Sequence, residues 1–253
     1  MSINFPHHPD IRLERSPLDE VICQVRFPAI LRITKEAPSE FQDLVRERFP
    51  LLALEQGFSL KVPKPGIREE PGVEALAKIH RFQTADEMTT ISLAVDFFAL
   101  STKRYTHWRD FLADLKFVQN STKRVYQPAY ATRIGLRYIN RFTLKNTGFE
   151  RFDQVLDIFQ PDLVVLLRSQ VWSDPLEFLS QLILIDGNGK LSLRTGFGNE
   201  KGERFFLLDL DYFEEGQISL EDTFKRVQRY HRVIYDAFRW CVKDESLVLF
   251  NPK

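Results

Sequence analysis

The chain matches itself. FQDLVRERFP (41–50) aligns with FDQVLDIFQP (152–161) at a shift of 111 residues, placing Phe41 on Phe152 and Pro50 on Pro161. The same shift sets Val25-Arg26-Phe27 of EVICQVRF (20–27) on Leu136-Arg137-Tyr138 of RIGLRYINRF (133–142). A slightly larger shift of 115 sets LAVDFF (93–98) on LDLDYF (208–213), so one small loop insertion separates the two registers. Matches in the same order at a near-constant offset are the mark of an internal duplication, which restricts the fold to two units of one kind.

Hydrophobic periodicity says what that unit is. EVICQVRF alternates as a strand, with Val21, Cys23, Val25 and Phe27 on one face. PSEFQDLVRERFP (38–50) reads as a helix that Pro50 stops. GFSLKVP (57–63), ALAKIHRFQ (75–83) and MTTISLAVDFFALS (88–101) read as three strands, with VPKPGIREEPG (62–72) as an exposed loop. YTHWRDFLADLKFVQNST (105–122) is an amphipathic helix. The second half repeats the order. RIGLRYINRF is its first strand, FERFDQVLDIF (149–159) its helix, and LVVLLRSQ (163–170) is ambiguous. EFLSQLILID (177–186), KLSLRTGF (190–197) and RFFLLDLDYF (204–213) follow, then a closing helix that Ser219 can cap with Asp222 three residues on. GNGK (187–190) and TGFGNEKG (195–202) are hairpin signals.

The expected architecture is therefore α+β: two βαβββα units with antiparallel sheet covered by helices on one face. By strand order alone it resembles the saddle of TATA-binding-protein-like folds and the helix-grip folds, which carries no implication of DNA binding. The expected organisation is an N-terminal arm (1–17), a first unit (18–128) and a second unit (129–253), the two units packed as one domain.

Charge limits the partners. Lys+Arg and Asp+Glu are both 35, so there is no basic excess of the kind a dedicated nucleic-acid binder shows. MSINFPHHPDIRLERSPLDE has no apolar core segment for a signal peptide, and no run nears the ~20 apolar residues of a membrane span. Cys23 and Cys241 lie in apolar patterns and read as buried thiols. The expectation is a cytoplasmic protein without membrane contact.

The strand period then assigns faces. Arg133, Gly135, Arg137, Ile139 and Arg141 share the side opposite Ile134, Leu136, Tyr138 and Phe142. Arg26 points away from its helices by the same logic, and so do Asp96 and its repeat counterpart Asp211. Two readings follow. The repeat offers structural ion pairs, Arg26 with Asp96 and Arg137 with Asp211. Alternatively, Arg133, Arg137 and Arg141 hold the carboxylates or phosphates of a ligand or protein partner, with Gly135 allowing close approach. Arg133 and Arg141 have no match in the repeat and are the better binding candidates.

Catalytic and metal signatures are sparse. No GxSxG, Walker or GxGxxG motif occurs, and His107 and His231 lack HxxxH or HExxH partners. His7-His8 reads as solvated in a loose terminus. Asp209 and Asp211, two apart on one strand, share a face and could hold a divalent metal in a nuclease-like alternative. No cofactor or metal is expected under the main reading.

PLDEVICQVRFP, FFALSTKRYTHWRDF and RIGLRYINRF, with HRVIYDAF (231–238) near the end, resemble a family of sporadically distributed bacterial and archaeal proteins of about this length. No activity is established for that family, so the resemblance transfers no catalytic residue. Its patchy distribution implies an accessory gene with a defence or toxin–antitoxin role. The expected function is a non-enzymatic binding module for a protein partner or an anionic small molecule.

Overall fold

A computed structural model describes residues 3–60, 73–169, 171, 175 and 177–253, with backbone alone at 56–60 and 73–77. The loop expected at 62–72, and the end of the strand expected at 57–63, lie outside the described residues. The fold is mixed α+β, built on one large antiparallel sheet of nine strands.

The elements in chain order are β1 (Leu18–Arg26), α1 (Arg32–Lys35), α2 (Ser39–Val45), β2 (Leu51–Leu60), β3 (Val73–Gln83), β4 (Thr89–Ala94), β5 (Phe97–Thr102) and α3 (Trp108–Tyr126). Then come β6 (Ala131–Thr143), α4 (Leu144–Thr147), α5 (Phe152–Val155), α6 (Pro161–Val164), β7 (Phe178–Asp186), β8 (Gly189–Glu200), β9 (Glu203–Ile218) and α7 (Thr223–Cys241). The sheet order is β2-β3-β4-β5-β1-β6-β9-β8-β7. Two compact units divide the chain. One holds Met1–Ile22, Ile134–Glu215 and Asp222–Lys253; the other holds Cys23–Arg133 and Gly216–Glu221.

In the second of these units, alternation in β1 buries Cys23 and Val25. The helices α2 and α3 cover that face: Phe41 lies 5.3 Å from Phe82 of β3 and 6.2 Å from Tyr126 of α3, ring centre to ring centre. Each such ring, fully buried, contributes about 2 kcal/mol. MTTISLAVDFFALS departs from its reading as one strand. It folds back at Val95-Asp96 into the hairpin β4–β5, with Ala94 opposite Phe97. The turn has neither Gly nor Asn to announce it. The chain leaving β1 holds it: Phe27 N donates to the Asp96 carbonyl (2.8 Å) and Ile30 N to that of Val95 (2.8 Å).

In the other unit, α7 covers the face of β6 and β9 that carries Tyr138 and Tyr212. Tyr138 Oη bonds His231 Nδ1 at 2.7 Å, and the Tyr212 and Tyr230 rings are 4.7 Å apart. Ser219 accepts from Glu221 N and so caps a short 3-10 turn, Leu220–Asp222, ahead of α7. The helix expected at 149–159 breaks into α5 and a 3-10 turn, Leu156–Ile158, and LVVLLRSQ begins in α6 and continues as a 3-10 turn, Val165–Arg168. Both expected hairpins form. Gly187 (φ 59°) occupies the β7–β8 turn, and Lys201-Gly202 (φ 52° and 85°) turns β8 into β9.

The N-terminal arm is docked along α7, where a loose terminus was expected. Ile11 N donates to Tyr235 Oη (2.9 Å), Tyr235 Oη donates to the Pro9 carbonyl (2.8 Å), and Arg232 Nη1 donates to Asp10 (2.8 Å). Phe5 packs on Trp240 at 5.7 Å. His8 N donates to Asp236 Oδ1 (3.3 Å), and His7 Nδ1 lies 3.6 Å from the same carboxylate.

Candidate functional site

The arginines of β6 end up in different surroundings, because neighbouring strands offer different acids. Arg133 Nη1 donates to Gln24 Oε1 of β1 at 3.4 Å. Gly135 is buried. Arg137 makes a forked bond to Asp209 of β9, Nε to Oδ1 and Nη2 to Oδ2, each 2.7 Å. Asp209 is 1% exposed. Its second guanidinium comes from Arg194 of β8 at 3.5 Å, the residue directly opposite in the register. With its amide oxygen toward Arg194, Gln181 of β7 accepts from Nε (3.2 Å) and Nη2 (3.3 Å). A polar ladder, Arg137–Asp209–Arg194–Gln181, thus crosses β6, β9, β8 and β7. The bond from Asp209 holds the Arg137 guanidinium above its ordinary pKa, with burial opposing and the charges of Asp209, Asp211 and Glu20 adding to the rise.

The fork from Arg137 therefore goes to Asp209, where the repeat pointed to Asp211. The two acids share a face, and a sequence shift cannot say which of them lies level with Arg137. Asp211 sits opposite Ser192 of β8. In the other unit, Arg26 Nη2 lies 2.6 Å from Asp96 Oδ2, both groups partly exposed. Asp96 stands in the β4–β5 turn and Asp211 in mid-strand, so the two are not equivalent in the fold.

Arg141 lies in different surroundings again. Its Nη1 bonds Glu200, its Nε is 3.1 Å from Asp19 Oδ2, and its guanidinium carbon sits 4.5 Å over the Phe205 ring. The two acids are 55% and 42% exposed at their side chains. Around this group opens a pocket of about 340 Å³, lined among others by Pro17, Asn146, Lys201 and Glu203. The capping box of α4 shapes one wall: Thr143 and Asn146 bond reciprocally, and Asn146 Nδ2 donates to the Arg141 carbonyl (2.7 Å). Bonding to Glu200 keeps the Arg141 guanidinium above its ordinary pKa.

Arg194, Gln181, Glu200, Asp19 and Phe205 escaped the reading of the chain. A signal for Arg194 was present, since a two-residue turn at Lys201-Gly202 sets it opposite Asp209. Nothing local points to Asp19 or Glu200.

Another polar cluster joins β9 to α7. Glu214, 3% exposed, takes Arg226 and, at 3.3 Å, Arg229; Tyr212 Oη and Arg229 Nη2 each reach Asp186 at 2.8 Å. Burial works against the Asp186 charge, but the bonds from Tyr212 and Arg229 hold its carboxyl below the usual range. This cluster fastens a helix to a sheet. Burial pushes the Cys241 thiol up, in keeping with an inert core residue. Among the described residues, no three His, Cys, Asp or Glu side chains gather as a metal site, and no helix is long and apolar enough to cross a membrane. No protein-family model matches the chain, and no curated protein matches it in sequence.

Proposed function

We propose that this chain is a non-enzymatic binding module that engages a protein partner at the Arg141 end of β6. One observation carries the reading: a guanidinium stacked on an aromatic ring at the mouth of an open pocket, held by carboxylates that solvent already reaches. Ion pairs of that exposure contribute about 0–1 kcal/mol, so a partner's charged side chains can exchange into them. Arg137 is the contrasting case, locked against a buried acid and suited to scaffold duty.

The charge of the pocket favours a protein segment over a free anion. Asp19, Glu200 and Glu203 stand against Arg141 and Lys201, leaving an acidic surplus that repels a small anion. A mixed-charge peptide can answer both signs. Duplication of a βαβββα unit, with a helix-grip-like arrangement, is our reading of the chain's origin. It is supported by the segments matched at the shift of 111 and by the first strands β1 and β6 adjoining at the centre of the sheet order; the match of LAVDFF with LDLDYF lends no support, since a turn there faces a mid-strand.

Chemical cross-linking of the full chain in extract of its own host tests the proposal. The expected result is a protein partner cross-linked through Lys201 and lost on Glu203→Lys or Arg141→Ala. If millimolar inorganic phosphate stabilises the chain to heat through Arg141 and no partner cross-links at Lys201, the small-anion reading replaces this one.

A further inference from the structure

β7 closes one end of the sheet order and pairs with β8 over Phe178–Asp186 without a bulge. Its far edge carries backbone groups with no strand beside them in that order. Proteins usually blunt such an edge with lysine, proline or a bulge. FLSQLILID has none of these, and its single charge, Asp186, is turned into the Tyr212–Arg229 cluster. Gly196 of β8 keeps the edge flush, since a Cβ there would lie 2.6 Å from the Phe178 carbonyl. Four large aliphatic side chains stand more than half exposed along the strand: Leu179 68%, Leu182 51%, Ile183 54% and Ile185 64%.

We infer that β7 is a homodimer edge, pairing antiparallel with β7 of a second copy about a two-fold axis through Leu182. The strand's own pattern selects that occupant. Antiparallel residues that face each other must have the same outward orientation, so the axis passes through a residue and not between two. Only an axis at Leu182, the middle of the nine residues, pairs the whole strand. Leu179 then meets Ile185, Gln181 meets Ile183, Leu182 meets itself, and Asp186 meets Phe178. No like charges face each other. Eight exposed aliphatic side chains, on the order of 100 Å² apiece, together with two backbones supply at most roughly the 1,000 Å² at the floor for a specific interface. The opposite edge, β2, also exposes Leu51, Leu52 and Leu54 but carries Glu55 among them. Pairing β7 with β2 is heterologous and builds a ring or an open filament, never a closed pair.

Sedimentation of the full chain at micromolar concentration should show a dimer. Leu182→Lys sets two ammonium groups face to face on the axis and should raise the dissociation constant on the order of 100-fold or more, with the far-ultraviolet spectrum unchanged. Arg141→Ala should remain dimeric, which separates this surface from the pocket. Cys23 and Cys241 are buried. Leu182→Cys should therefore form an intermolecular disulfide with oxidised glutathione, two thiols becoming one disulfide as glutathione is reduced. Val248→Cys, 67% exposed on another element, should not. A monomer across the concentration range, which would mean that the edge stays open or is covered within one chain, overturns the inference. So do a dimer that survives Leu182→Lys and an open-ended series of oligomers.

Discussion

Arg26 ends β1 and Arg137 lies within β6, and they differ in what their loss would do. Arg26 and Asp96 are both partly exposed, and Arg26→Ala should lower stability by less than about 1 kcal/mol in urea unfolding. Arg137→Ala strips the fork from an acid that is 1% exposed, leaving it with Arg194 at 3.5 Å. Losing one partner of a buried pair costs about 3 kcal/mol, and the same urea experiment should show it. His231 adds a pH dependence. Burial lowers its pKa from the ordinary 6.5 to about 4, while it bonds Tyr138. The folded state therefore binds this proton less readily than the unfolded chain. Stability from this group is full above pH 6.5 and falls as the pH drops toward 4, by up to about 3 kcal/mol. His231→Gln should flatten the unfolding midpoint between pH 7 and pH 4.5. That the arginines share one face was legible from alternation alone. Their separate fates were not, because exposure depends on which strands flank each one.

Turn chemistry accounts for the hairpins that the chain announces and for the one it conceals. Gly187 has a positive φ and open space around it, so Gly187→Asn should leave the unfolding midpoint within about 0.5 kcal/mol, since Asn tolerates that conformation. Two residues on, Gly189 is required for another reason. A Cβ there would lie 2.2 Å from the Tyr212 hydroxyl, and Tyr212 is fully buried and tied to Asp186 and Arg229. Gly189→Ala should cost about 1–3 kcal/mol through overpacking, read as a lowered thermal midpoint. The β4–β5 hairpin has no such marker. Its turn at Val95-Asp96 is held by Phe27 and Ile30, residues about seventy positions upstream. Local patterning therefore shows a single long strand where the fold has two. The helix at 149–159 fails for a related reason: its periodic stripe is real, but its last turn tightens to 3-10 where Gln160 N bonds the Cys241 carbonyl.

At the scale of the molecule, both ends of the chain are fastened in one unit. The arm runs along α7, and Leu13 bridges Pro252. Deleting residues 1–11 removes several hydrogen bonds of about 1 kcal/mol each and the Phe5–Trp240 pair, so stability should fall by roughly 2–4 kcal/mol. Hydrogen exchange should quicken along α7 and leave α3 unchanged. The polar, proline-containing start of the chain gives no hint of this, because its partners Tyr235, Asp236 and Trp240 lie more than two hundred residues away. The same division holds throughout. Period-two alternation, proline stops and Gly-containing turns act over a few residues, and they set the α+β class, most strands and the face on which each charge lies. Strand order and register act across the chain. They gave Arg137 its fork to Asp209 and Arg141 its exposed acids and its pocket, and left a strand with a single charge at the sheet's edge, because each outcome depends on which distant backbone lies about 5 Å away.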